Sequence, residues 1–527
     1  MATSVSRPAW EPRVRSLASA RIAVPLGLAA LVVISLMLKD AELGVGYWVD
    51  EGLSVGIADR PLLDIPGVLR QDGSPPLYYM LLNVWLELAG RDERATHTLS
   101  VLFALATVPV AFWGAGLVFG RRTAWIAAVL TTFNPYLSQY AQETRMYSLV
   151  VLLSMLATSL FLHTYTGDER PARRWPVLFG LALALALYTH NWVLFLGAAM
   201  GIAWLALLWL APAAERAARL RDGLLGFGLA ALLYLPWVPT LLFQAAHTGA
   251  PWSRKPEYEA ITMEATHRLL GHTAWLVLVV SAGGGAVALV RAGRGRQLTA
   301  HGRAVLAVGF VAVATVLLAY GASQISPAWA MRYLAVAVPP FLLLCAAGLA
   351  ANRGTGLAGL AIVVILWAYD VWPTTKSNVR QVSEAIAPSV SPGDVVVSTQ
   401  PEQVPVLHHY LPPGLRYATL TGFVADVGVT DWRDGVDRLR ASSPQRDLKP
   451  ILDGLEPGRR LVLITPIIFE KARWRAPWTE LVRVRSEEFS QYVSNDPRFR
   501  ATSVFPPPPD KHVPNPVTAS VLVKLRR

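Results

Sequence analysis

Asp50 and Glu51, in the stretch GYWVDEGLS (46–54), set two carboxylates side by side among aromatic residues, shortly after an apolar run that ends at Leu38. Other stretches are similarly loaded. QDGSPPLYY (71–79) carries Asp72, Tyr78 and Tyr79; SQYAQETRMYS (138–148) carries Glu143, Arg145 and Tyr147; YTHNW (188–192) carries His190. PWSRKPEYEA (251–260) and SPAWAMRYL (326–334) add basic residues, among them Arg332 beside Tyr333. A carboxylate can take a proton from a hydroxyl, a step worth roughly 10²–10⁴ in rate. Guanidinium groups hold a phosphate by two parallel hydrogen bonds. Trp48 and the tyrosines supply ring faces. Brought together, these residues would handle a lipid-borne anionic group meeting a polar acceptor.

Positioning them falls to a chain that is too apolar to be an ordinary soluble protein. Of 527 residues 53% are hydrophobic and only 16% charged, where a soluble chain carries about a quarter charged residues. The apolar residues come in blocks long enough to span a bilayer. The net charge of +12 does not argue for nucleic acid, because the basic residues sit between the apolar blocks. The single cysteine, Cys345, lies inside such a block, so no intrachain disulfide and no cysteine-based metal site can form.

Eleven runs of spanning length are expected, at about 22–38, 95–118, 123–140, 147–165, 176–190, 192–211, 223–243, 273–290, 304–320, 333–351 and 357–372. Threaded alternately, one set of connections gathers Arg121 and Arg122, Arg170, Arg173 and Arg174, Arg216, Arg219 and Arg221, Arg291, Arg294, Arg296 and Arg303, and Arg353. The other set is nearly free of basic residues. The positive-inside rule puts the first set in the cytoplasm, with residues 1–20 as a cytoplasmic N-terminal segment and the first run as a retained anchor rather than a signal peptide. PPLYYMLLNVWLELAG (75–90) is short for a crossing, and counting it would turn every arginine cluster outward; it is expected as a surface helix opened by its two prolines. Residues 39–94 then form a long first external loop, and all the loaded stretches fall on the outer face.

After residue 372 charge and proline rise and short β-type runs appear: DVVVST (394–399), RLVLIT (460–465) and ASVLVKL (519–525). Residues 373–527 are read as a small extracytoplasmic α/β domain, with FPPPPD (505–510) a stiff surface segment. There is no internal repeat, Walker loop, GxGxxG after a strand or H-E-x-x-H, so ATP-driven transport has no support.

Each candidate also has a plain structural reading. Arg145 and Arg332 can snorkel to the membrane surface, Glu143 can pair with Arg145, His190 can be a packed interfacial histidine, and a turn accounts for Asp72 as well as chemistry does. For Asp50 and Glu51 it is a carboxylate at the start of a helix. Ionisable groups at such depths are nonetheless expensive unless they line a wet, functional cavity.

In order and spacing, YWVDE, DGSPPLYY, QETRMYSL and YTHNW resemble the C-type (GT-C) membrane glycosyltransferases, in the branch of the protein O-mannosyltransferases and the lipid A aminoarabinose transferase, over about residues 20–372. The resemblance implies a polytopic helical plasma-membrane protein with juxtamembrane helices in its first external loop (catalytic module 21–372). It implies transfer with inversion from a polyprenyl-phosphate sugar to an acceptor glycan, lipid or protein. Asp50 would be the general base, with Glu51 supporting it by hydrogen bonding or by holding the loop. Arg145 and Arg332 would bind the donor phosphate. Trp48, Asp72, Tyr78, Tyr79, Glu143, Tyr147, His190 and Tyr333 would line the cavity. Family members often open the loop helix with His-Pro-Pro or Lys-Pro, whereas Ser74 precedes Pro75 here, so no phosphate-contacting base carries over to that position. No cofactor is expected; acidic residues near a phosphate could accept a divalent cation, but no ligand spacing calls for one. The competing reading is a transporter or flippase for a lipid-linked sugar, without transfer chemistry.

Overall fold

The computed structural model describes residues 11–40, 43–293, 298–370, 375–505, 513 and 515–525. Arg294 and Arg296 of the basic set, Trp372, and most of the expected proline-rich segment (506–510) lie outside the described residues. Helices dominate up to Ala368 because, away from water, a backbone must satisfy its own N–H and C=O groups. In chain order they are α1 (Glu11–Lys39), α2 (Val49–Ala58), α3 (Ile65–Asp72), α4 (Leu77–Ala89), α5 (Glu93–Phe119), α6 (Arg121–Phe133), α7 (Pro135–Ala141), α8 (Tyr147–Thr166) and α9 (Arg174–Leu187). There follow α10 (Val193–Leu210), α11 (Ala213–Tyr234), α12 (Val238–His247), α13 (Ala265–Leu270), α14 (Trp275–Arg291), α15 (Ala300–Ile325), α16 (Val338–Ala351) and α17 (Arg353–Ala368).

The expected runs fall on helices, and all but the one at 123–140 on helices that are apolar over their described residues. Among the described residues six are long and apolar enough to cross a membrane, and a seventh is reached if the helical stretch Ala260–Leu270, which ends in α13, and α14, bent by 86°, count as one span. The helices α9, α16 and α17 are shorter apolar helices. The run expected at 123–140 is two helices: Pro135 forces the preceding Asn134 into an extended conformation (φ −60°, ψ 122°), and the Asn134 side chain then caps α7 by accepting from Leu137 N. Cys345 is buried in α16. The arginine-bearing connections share one end of the bundle, where Arg303 pairs with Asp168 (2.5 Å) and Arg170 with Asp222 (3.0 Å).

At the opposite end lie α2, α3 and α4. The stretch read as a surface helix is α4, which starts right after Pro76 and is tied by Leu77 N to the carbonyl of Tyr188 (2.9 Å). Packed over this end is a six-stranded mixed sheet: β1 (Val395–Ser398), β2 (Arg416–Thr419), β3 (Gly422–Phe423), β4 (Arg460–Pro466), β5 (Phe499–Phe505) and β6 (Val517–Lys524), in the order β3-β2-β1-β4-β6-β5. The central strand β1 runs parallel to both β2 and β4, with Val395 opposite Arg416 on one side and Leu461 on the other. Val395 and Val397 point into one apolar core and Val396 into another, so β1 is buried on both faces, as parallel strands covered by helices are.

The sheet domain is docked closely on α2. A Cβ at Gly52 would stand 2.6 Å from Val406, in the helix Val404–Tyr410, and one at Gly56 would stand 2.3 Å from the carbonyl of Gly428. Only glycine allows these approaches. Arg60 pairs with Asp426 (3.0 Å), and backbone bonds run from Trp432 N to Gln71 O (2.9 Å) and from Trp478 N to Pro251 O (3.1 Å).

Candidate active site

Asp50 sits in the first turn of α2, which begins after an extended Trp48 (φ −103°, ψ 177°). The next residue, Glu51, turns its side chain back, and its Oε2 accepts from Trp48 N (3.3 Å), which fixes the start of the helix. The remaining Glu51 oxygen is fully buried and accepts from His97 Nε2 (2.6 Å), Thr144 N (2.8 Å) and Lys376 Nζ (2.8 Å). His97 is held in turn by the carbonyl of Leu43 (2.8 Å), and Lys376 also donates to the carbonyl of Gln142. Burial alone would raise the Glu51 pKa; Lys376 and His97 override it and hold the carboxyl at about 2. Glu51 therefore does not share a site with Asp50. It is a positioning residue that ties α2 to α5, to the 142–146 turn and to the segment entering the sheet domain.

The Asp50 carboxylate faces the other way. Its Oδ2 lies 3.5 Å from a terminal nitrogen of Arg332 and 4.0 Å from Arg145 Nε, and accepts no hydrogen bond. Arg145 is aimed by the turn before α8: its Nη1 donates to Ser54 Oγ (3.0 Å), to the Asp50 carbonyl (3.3 Å) and to Tyr79 OH (3.4 Å). Arg332 is held by ring faces, with its guanidinium carbon 4.8 Å from the centre of Trp252, 5.4 Å from Tyr333 and 5.6 Å from Trp48.

The other expected residues surround this core. Tyr147 lies under Arg145 (5.8 Å) and against Tyr333, which meets His190 edge-on at 4.7 Å. Burial, reinforced by Arg145 and Arg332, lowers the His190 pKa to about 3, so this imidazole is neutral; its Nδ1 accepts from Trp192 N (3.1 Å). Tyr78 stands behind the site, with its hydroxyl 3.5 Å from Ser100 Oγ. Asp72, half-buried at the end of α3, has its pKa raised by desolvation, with Ser74 and Arg145 opposing. Burial, with help from Glu51 and Asp50 and against Lys376, raises the Glu143 pKa to about 8, so a proton is held on this carboxyl near neutrality.

Around Asp50 an unusual number of buried polar atoms lack a protein partner: Trp48 Nε1, Asp50 Oδ2, Asp72 Oδ2, Glu143 Oε2, Tyr147 OH, and the Nε atoms of Arg145 and Arg332. Such groups are normally paired, and their convergence marks a place built for a polar ligand. The three carboxylates that a cation could have used do not converge, since Glu51 points away. Among the described residues no group of three His, Cys, Asp or Glu side chains is placed to hold a metal ion.

Residues 73–239 match a family model described as dolichyl-phosphate-mannose-protein mannosyltransferase. The chain is similar in structure to ArnT from Cupriavidus metallidurans bound to undecaprenyl phosphate, with TM-score 0.59, 13% identity, and 94% of this chain and 97% of that one covered. ArnT in the apo state gives TM-score 0.58 at 15% identity, with 85% and 93% covered. The chain has the GT-C glycosyltransferase fold. Within that fold it is also similar to the archaeal oligosaccharyltransferase AglB from Archaeoglobus fulgidus in complex with an inhibitory peptide and a dolichol-phosphate (TM-score 0.52, 9% identity, 84% and 70% covered). No curated protein matches the chain by sequence.

This GT-C chain assembles its site partly from residues the sequence did not mark. His97 was visible as a lone histidine inside an apolar run, which is itself a signal. Lys376 was readable only as one more basic residue past the last run. Trp252 lies in the stretch PWSRKPEYEA already placed on the outer face, though not singled out within it, whereas the residues of the sheet domain that face Asp50 carry no pattern that foretells their position.

Proposed function

We propose that this chain is an integral-membrane inverting glycosyltransferase that moves a sugar from a polyprenyl-phosphate-linked donor to an acceptor hydroxyl, with Asp50 as general base. The observation that carries the reading is the Asp50 Oδ2 without a hydrogen-bond donor, set between Arg332 and Arg145. A phosphodiester entering beside it offers both guanidinium groups a bidentate partner and draws them away from the carboxylate. Asp50 then takes the acceptor proton as the acceptor oxygen bonds to the anomeric carbon. On the opposite face the bond from that carbon to the phosphate oxygen breaks. The leaving phosphate gains a negative charge, which Arg145 and Arg332 are already aimed to stabilise.

Several observations support a lipid-linked donor: the apolar bundle below the site, and the undecaprenyl phosphate and dolichol-phosphate carried by two proteins of the same fold. The basic loops at the far end of the bundle support a multi-pass plasma-membrane orientation with the N-terminus in the cytoplasm and the sheet domain outside. The test is Asp50→Asn in the full chain, reconstituted with a polyprenyl-phosphate donor labelled in its sugar and a cell-envelope extract as acceptor source. Transfer should fall by roughly 10²–10⁴ while isoprenoid phosphate still binds. Full transfer by the variant would refute the assignment.

A further inference from the structure

Beyond Asp50 the site opens into a cavity of ≈ 380 Å³ roofed by the sheet domain. We propose that this cavity is the acceptor subsite, and that its occupant is a saccharide ring, borne on a polysaccharide or as the head group of a glycolipid. The proposal deepens the reading above, on which the word acceptor rests.

Its place in the fold is the first argument. Gln400 and Glu402 follow β1, and Ile467 and Phe469 follow β4; all four line the cavity. These are the carboxyl ends of two parallel strands at the centre of the sheet. The chain leaves β1 toward β2 on one side, and β4 lies on the other, so the topology reverses between them. In open α/β sheets ligands bind at such a reversal, outside the carboxyl ends of the strands. Here that mouth opens onto Asp50 and Arg332.

The lining chemistry is the second. Trp48 and Trp252 on the bundle side and Trp432 and Trp474 on the sheet side supply flat apolar faces, the surfaces that the C–H faces of a pyranose or furanose ring cover. Between them Thr479 and Asn515 carry hydrogen-bonding groups suited to hydroxyls, beside Gln400 and Glu402, whose side chains bond to each other (3.2 Å). Among the described residues Arg332 is the only lining cation, and the sheet domain contributes the carboxylates Glu402 and Glu470. An extended peptide would seek a free sheet edge, yet the edges are β3 and β5 and neither lines the cavity.

Geometry relative to the donor is the third. Arg145 does not line this cavity, whereas Asp50 does. With the phosphate held on the Arg145 side, a group in the cavity approaches from across Asp50, the opposite-face attack that inversion requires.

The experiment measures saccharide binding first, with no lipid donor present. The full chain in nanodiscs is titrated with linear manno-, gluco- and arabino-oligosaccharides, and separately in nanodiscs containing glucosyl diacylglycerol, reading tryptophan fluorescence and saturation-transfer NMR. We expect a saturable response below about 10 mM, a weak-site affinity, weakened tenfold or more by Trp474→Ala and by the isosteric Thr479→Val. A response to the soluble oligosaccharides assigns a polysaccharide; a response to the glycolipid alone assigns its head group. The labelled donor is then added, and the bound saccharide should acquire the label. No saturable response to any of these sugars, an equal response in both variants, or label passing to polypeptide while bound saccharide stays unlabelled would each overturn the proposal. Because the titration contains no donor, a failure of the lipid-donor reading leaves its result standing and is recognised separately.

Discussion

Lys376→Met isolates the knot that holds Asp50 in place. Lys376 is the strongest influence holding Glu51 down from its ordinary 4.5 to about 2, and the carboxylate it serves is fully buried. The lowering from 4.5 to 2 corresponds to about 3 kcal/mol, and removing one partner of a buried pair typically costs about 3–5 kcal/mol. His97 and Thr144 N remain to Glu51, so the lower figure is the expectation. The sign follows from linkage. A carboxyl whose folded pKa is depressed contributes stability above its unfolded pKa and loses it as pH falls through the folded value, here between about 4.5 and about 2. In Lys376→Met this loss should begin at higher pH. The chain supplies its own reporter: Cys345 is the single cysteine and is buried, so a maleimide dye that fluoresces on thiol addition registers unfolding. The apparent Tm should fall by several degrees at pH 7 and the gap should start to narrow below about pH 4.5 and close only toward pH 2, while Glu51→Gln/Lys376→Met should cost less than the sum of the two single changes. A Tm unchanged within a degree at pH 7, or strictly additive single changes, would refute the knot.

Three further outcomes follow from the same structure. Asp50→Asn should lose transfer by roughly 10²–10⁴ yet keep isoprenoid phosphate through purification, checked by mass spectrometry of bound lipid. Gly56→Ala should push the Gly428 carbonyl aside at a cost of about 1–3 kcal/mol, loosening the sheet domain and raising its cleavage rate in limited proteolysis; unchanged cleavage would show that α2 does not hold it. Glu143, raised to about 8, contributes stability that is fully present below about 4.5 and lost as pH rises through about 8. Glu143→Gln should therefore flatten the decline of the dye-detected Tm between pH 5 and 9.

The helical, membrane-type character of the first part was legible because long apolar runs give helices whatever their neighbours, and the three strands expected in the C-terminal part were found as β1, β4 and β6. The others escaped for physical reasons. β2 and β3 are four and two residues long, and the edge strand β5 is mostly open to solvent, so neither pair nor edge shows a buried alternation. Within the site, Asp50, Arg145 and Arg332 could be named because charged groups near hydrocarbon need a reason. Glu51 looked equivalent to Asp50 because neighbours on a helix differ in direction, not in type. Its partner Lys376 lies 325 residues away, a distance no local pattern bridges, and the cavity walls from the sheet domain are set by strand order rather than by motif.

The two glycines of α2 have an effect beyond packing. The helix bearing Asp50 rests against the C-terminal domain at backbone distance on one side and is tied through Glu51 to α5 on the other, so it is seated by both parts of the chain at once. An insertion or a graft that exchanges the outer domain for another would reset the angle of the reacting carboxylate, so the part that greets the incoming partner and the part that performs the transfer can change over evolution only together.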